Sequence, residues 1–181
     1  MNATLHLHRT PAAGFDEPFE MLTACHERAE RMLSLLLRLA EHLQAQGADE
    51  QARSAARDVI RYFDIAGPAH HEDEERHVFP TLLKQPGSPL KPLVRRLKSD
   101  HLAMTEQWQA VRADLLAVEQ GQGTLDATML ARWQVFAALY RGHIETEDSQ
   151  AYTAAASLMS EEARAAMGRE MAIRRGVPPP R

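Results

Sequence analysis

The densest chemistry in the chain lies in one stretch, His70-His71-Glu72-Asp73-Glu74-Glu75-Arg76-His77-Val78-Phe79-Pro80-Thr81-Leu82. On a helix His70 and Glu74 are four apart, so they share one face about a turn from each other. An i, i+4 histidine–carboxylate pair aimed into a helix bundle supplies metal ligands from one element. A second pair, His143 and Glu147, comes later in the chain, and His26 and His101 stand as single histidines elsewhere. No Ser-His-Asp or Cys-His nucleophile set, phosphate loop or nucleotide motif accompanies them, so hydrolase or kinase chemistry is not supported.

Four helices must position these groups. The first is expected from an Asp16 cap to Gly47, with the seam Leu22, His26, Ala29, Leu33, Leu36, Ala40, Leu43. The second starts at Asp49 and runs into the low eighties, its seam passing through Phe63, His70, Glu74 and His77. Gly67-Pro68 should bend it, Pro80 should end its regular part, and Pro86-Gly87 should break the chain. The third follows Ser88-Pro89 and carries Val94, Leu97, His101, Met104, Trp108 and Val111, closing at Gly121 and Gly123. The fourth begins near Thr124 or Asp126 and carries Trp133, Phe136, Tyr140, His143 and Glu147. The fold class is therefore all-α: an up-down-up-down four-helix bundle with a short extra C-terminal helix, from Ser160 to about Arg174. Residues 1–14, with His6 and His8, read as an arm, 15–176 as the bundle, and 177–181 as a tail.

One histidine thus interrupts the apolar seam of each helix, and two have a carboxylate one turn on. A seam position faces the core, where an unpaired carboxylate costs several kcal/mol. Two divalent cations, bridged by the acids and completed by neutral imidazoles, would compensate. Four separate core histidines, each hydrogen-bonded to a neighbour, are the alternative.

Composition excludes other classes. The 181 residues are 44% hydrophobic and 25% charged, with a net charge of −4 and both signs interspersed, so nucleic acid and membrane surfaces are not expected partners. Cys25 is the only cysteine, which rules out an internal disulfide and fits a reducing cytoplasm. There is no basic-then-apolar leader pattern, and the apolar run from Leu33 to Leu37 is too short to span a bilayer. A soluble cytoplasmic protein, monomer or homodimer, is the expectation.

On His26, His70-x-x-x-Glu74 with Phe79-Pro80, His101 and His143-x-x-x-Glu147, the chain resembles the hemerythrin-like or HHE cation-binding domain family over roughly residues 15–160. The resemblance implies a four-helix bundle around a non-haem di-iron site, bridged by two carboxylates and an oxo or hydroxo group. It implies His26, His70, Glu74, His101, His143 and Glu147 as ligands. Family members carry or sense oxygen, handle nitric oxide, or supply iron to damaged iron centres. Oxygen carriers have a second third-helix histidine where this chain has Thr105, and an aspartate five residues after the fourth-helix histidine, where both Glu147 and Asp148 are available. These departures leave the ligand count and reversible oxygen carriage open.

Candidates for a missing ligand are His77, which can reach the metal beyond Glu74, then Glu106, Glu30 and Asp148. His71 and Glu75 point about 100° from the metal face and are expected at the surface. His42 is expected exposed or hydrogen-bonded, and Cys25 as a small buried apolar group. Met104 and Trp108 are expected as a dry pocket wall, with the Tyr140 hydroxyl near a metal-bound ligand. The expected function is a di-iron protein that binds or reacts with a small diatomic or peroxide. An iron reservoir, or a structural bundle holding zinc or no metal, are the alternatives.

Overall fold

The first helix, α1 (Pro18–Gln46), stops where Gly47 turns to φ 74°, a left-handed conformation that costs a residue without a Cβ little. Pro18 sits in its first turn, and no side chain caps it, so Asp16 does not play the capping part expected. The second, α2 (Glu50–Asp73), starts on Asp49, whose carboxylate accepts from Ala52 N at 2.9 Å and also pairs with His42 Nε2 at 2.9 Å. It runs on through Pro68. A π-helical turn, Glu74–Val78, then leads into α3 (Phe79–Leu83), so helix continues past Pro80 rather than ending there. The proline falls in the first turn of α3, where its missing N–H is tolerated.

The next long helix, α4 (Lys91–Glu119), begins later than expected, with Pro92 rather than Pro89 in its first turn. Ser88 instead donates its hydroxyl to Leu82 O at 2.7 Å and accepts from Leu90 N, tying the loop together. Asp126 caps α5 (Ala127–Thr146) by accepting from Met129 N at 2.7 Å. A second π-helical turn, Glu147–Ala151, precedes α6 (Tyr152–Leu158), and Ser160 caps α7 (Glu161–Arg174).

This computed structural model describes residues 14–84, 87–122 and 124–180. Residues 1–13 of the expected arm, with His6 and His8, lie outside the described residues, as do Pro86, Gly123 and Arg181. Among the described residues all regular structure is helical, and no helix is long and apolar enough to cross a membrane.

The long helices pack in a ring: α1 on α2, α2 on α4, α4 on α5, and α5 back on α1. His70 and His143 lie in the last turns of α2 and α5, whereas His26 and His101 lie in the first halves of α1 and α4. All four reach one level only if successive helices alternate in direction. That is the up-down-up-down bundle.

The polar layer divides the apolar core. On one side lie Leu33, Leu36, Val59, Phe63, Trp108, Trp133 and Phe136 with their neighbours. On the other lie Leu22, Val78, Phe79, Leu97, Tyr152, Met167 and Met171. The second cluster needs α6 and α7 to close it. Two arginines of the C-terminal end reach Asp73, which is fully buried beside Glu74: Arg174 Nη2 and Arg175 Nη1 both donate to Asp73 Oδ1. A buried carboxylate kept this way is paired rather than stranded.

Candidate metal centre

Each seam histidine turns its Nε2 inward, and in three of them a carboxylate stands at the other nitrogen. His26 Nδ1 is 2.9 Å from Asp148 Oδ1, His101 Nδ1 is 2.9 Å from Glu75 Oε1, and His143 Nδ1 is 3.4 Å from Asp100 Oδ2. A carboxylate on Nδ1 assigns the proton there and leaves Nε2 a bare lone pair, the arrangement found behind metal-bound histidines. His101 Nε2 and His143 Nε2 then face each other at 3.2 Å. Two lone pairs at that distance in a dry core repel unless a cation stands between them.

The carboxylates tie these imidazoles into two groups. Glu74 Oε1 lies 3.2 Å from His70 Nε2, while its other oxygen lies 3.4 Å from His101 Nε2. Glu147 Oε2 lies 3.2 Å from His26 Nε2 and 3.0 Å from His143 Nε2. One group is thus His26, His70, Glu74 and Glu147, the other Glu74, His101, His143 and Glu147, all buried and sharing both acids. Donors bound about 2.1 Å from a first-row divalent ion stand about 3 Å apart when cis. The spacing fits.

Electrostatics point the same way. Among the described residues Glu74 Oε2, both Glu147 oxygens and His70 Nδ1 are buried without a hydrogen-bond partner. Orphaned charge of this kind costs several kcal/mol unless something else satisfies it. Burial, and then the charge of Glu74, push the Glu147 carboxyl up to about 8. Burial also opposes the charge on Glu74, yet His70 and His101 hold that carboxyl well below its ordinary range. Without a cation, the pair therefore keeps a proton on Glu147 at neutral pH. Burial and the neighbouring His101 press His71 well down, so it is a neutral base.

His71 corrects the expectation of a surface position, and Glu75, at the surface as expected, nonetheless supports the site. His71 is half-buried and stacks on His101, ring centroids 4.0 Å apart and 11° from parallel. With His101 and His143 it forms a third group of nearby nitrogen donors. Glu75 is exposed, but its carboxylate reaches His101 Nδ1. Tyr152 and Asp100 were not singled out by the sequence; Asp100 precedes His101 directly, while Tyr152 stands five residues after Glu147.

The lesser ligand candidates go elsewhere. His77 Nε2 lies 2.7 Å from Glu170 Oε2 on α7, because the π turn starting at Glu74 adds a residue and brings Val78 and Phe79, not His77, to the interior. Glu106 is exposed on α4, one position off the seam. Glu30 accepts from Arg141 Nε at 3.1 Å. Asp148 supports His26 from outside rather than joining the inward donors. Cys25 is half-buried, and its carbonyl accepts from the Tyr62 hydroxyl at 3.0 Å.

Two spaces adjoin the cluster. A cavity of about 500 Å³ between α2 and α4 is walled by Phe63, Met104, Trp108 and Tyr140 and reaches His71, His101 and Thr105. Met104 and Trp108 line this cavity as expected, but with Asp64, Glu75 and Arg112 also around it the space is not the dry pocket expected. A smaller one of about 10 Å³ lies among His26, His70, His71, His143, Gly67 and Tyr140. That is about the room one water needs.

Known proteins place the chain further. The model of the hemerythrin HHE cation binding domain matches residues 17–155. An uncharacterised protein of Haemophilus influenzae is 30% identical over 167 residues, covering 91% of this chain and 94% of the relative.

Proposed function

The chain belongs to the hemerythrin HHE cation-binding family, and on that premise we propose that it holds two irons among its core histidines and reacts there with a small diatomic molecule or peroxide. The observation that carries this reading is the pair of donor groups joined through Glu74 and Glu147, whose oxygens stand near imidazoles of both groups. Mixed imidazole and carboxylate donors suit iron, and carboxylates shared between two groups suit a pair of ions. Iron held by these residues would supply reducing equivalents to such a ligand.

The chain's own residues set the terms of that chemistry. Asp148, Glu75 and Asp100 fix three imidazoles in orientation and tautomer. Thr105 turns its hydroxyl to His101 O at 2.9 Å, so α4 offers only one inward histidine. The larger cavity gives water a route to the His101 side. Solvent access of this kind favours oxidation over reversible oxygen carriage.

Protein prepared from iron-replete cells should carry about two irons per chain. After anaerobic reduction it should turn ferric within minutes of exposure to air, followed by stopped-flow absorption. One tightly held zinc with no iron uptake would favour a structural bundle. An oxygen adduct that persists and reverses under argon would mean a closed, carrier-type site.

A further inference from the structure

The two π turns make the halves of the centre comparable, residue by residue. In each, a carboxylate opens the turn and an aromatic residue follows five positions later: Glu74 with Phe79, Glu147 with Tyr152. The backbone N–H of each aromatic residue donates to the carbonyl of its own carboxylate residue, the mark of a π turn. Each aromatic ring then lies against the single histidine of a neighbouring helix. Phe79 packs on His101, centroids 5.4 Å apart, and Tyr152 stacks on His26, centroids 5.2 Å apart and 8° from parallel. At the aromatic position the halves differ by the Tyr152 hydroxyl, which Phe79 lacks.

That oxygen is placed among metal donors. It lies 3.1 Å from His26 Nε2 and 3.5 Å from His70 Nε2, and it donates a short hydrogen bond to Glu74 Oε1. The residue is buried. A hydroxyl has one proton to give, and Glu74 takes it. Its lone pairs are left facing His26 Nε2, whose own proton is held at Nδ1 by Asp148. In a dry core that is a repulsion, and the separations are those of cis donors around one ion, about 3 Å.

We propose that Tyr152 is a ligand of the iron held by His26, His70, Glu74 and Glu147, and that the two irons are chemically unequal because Phe79 offers the other nothing. The proposal rests on the di-iron reading above. On binding, an iron–oxygen bond forms to Tyr152 Oη, its O–H bond breaks, and the proton leaves to solvent. A hard anionic oxygen favours the ferric state, so this half holds iron(III) more firmly than the half faced by Phe79.

The test uses the full chain, reconstituted anaerobically with ferrous iron and then oxidised by the dioxygen of air. Absorption and resonance Raman spectra should show a visible tyrosinate-to-iron(III) charge-transfer band with tyrosinate ring modes. Tyr152→Phe should lose the band while iron per chain is retained. The sequence has 3 tyrosines, so the double variant Tyr62→Phe with Tyr140→Phe leaves Tyr152 alone and should keep it. Should Tyr152→Phe fail to fold, the double variant decides. Iron uptake without the band in the wild type, a band that survives Tyr152→Phe, or its loss from the double variant would overturn the assignment alone. No iron uptake by the wild type would overturn both readings.

Discussion

Glu74 and Glu75 are neighbours in sequence, yet the helix gives them different work. Glu74 is buried with an oxygen toward each donor group, and Glu75 reaches His101 from the solvent side. Glu74→Ala should therefore strip iron from both groups, whereas Glu75→Ala should weaken binding about 10- to 100-fold through His101. Iron retained against a graded chelator, measured for both variants, checks this; equal retention would contradict it. The four seam histidines and two inward acids were legible because each interrupts an apolar stripe at helical spacing. His71 and Tyr152 were not. A straight 3.6-residue period puts His71 a step off the seam and gives no reason for Tyr152 to face His26. What sequence could have offered is the matched spacing of Glu74 to Phe79 and Glu147 to Tyr152.

At the scale of elements, boundaries followed side-chain chemistry where a cap existed, at Asp49, Asp126 and Ser160. They slipped at Pro80, which helix passes rather than ends on, and at the start of α4, where Pro92 rather than Pro89 lies in the first turn. The π turns were the consequential omission, since one extra residue in each redirects everything after the acid. The last helix was visible as a helix, but its docking was not, because that depends on Asp73, Arg174 and Arg175 meeting across the fold. It comes close at Gly168, where an added Cβ would stand 1.8 Å from the Phe15 carbonyl oxygen. Gly168→Ala should thus cost about 1–3 kcal/mol through overpacking. Gly142 on α5 has open space, and Gly142→Ala should be neutral or stabilise by up to about 1 kcal/mol. Chemical denaturation of both variants tests the contrast; equal stabilities would show that α7 does not hold its place against Phe15.

For the molecule as a whole, the bundle is two apolar clusters with a charged layer between them. The fold class was legible from four apolar stripes and short links, since a stripe fixes what must be buried whatever the exact ends of its helix. The layer is the costly part: buried acids with orphaned oxygens oppose folding, and cations bound by the folded state alone repay it by mass action. The central claim is that two cations lie in this layer, joined through Glu74 and Glu147. An anomalous difference map from crystals of the iron-loaded protein tests it most directly. The account predicts two peaks about 3.5–4 Å apart, one beside His26 and His70 and one beside His101 and His143, with Glu74 and Glu147 contacting both. A single peak, or iron bound outside the four-histidine layer, would contradict it.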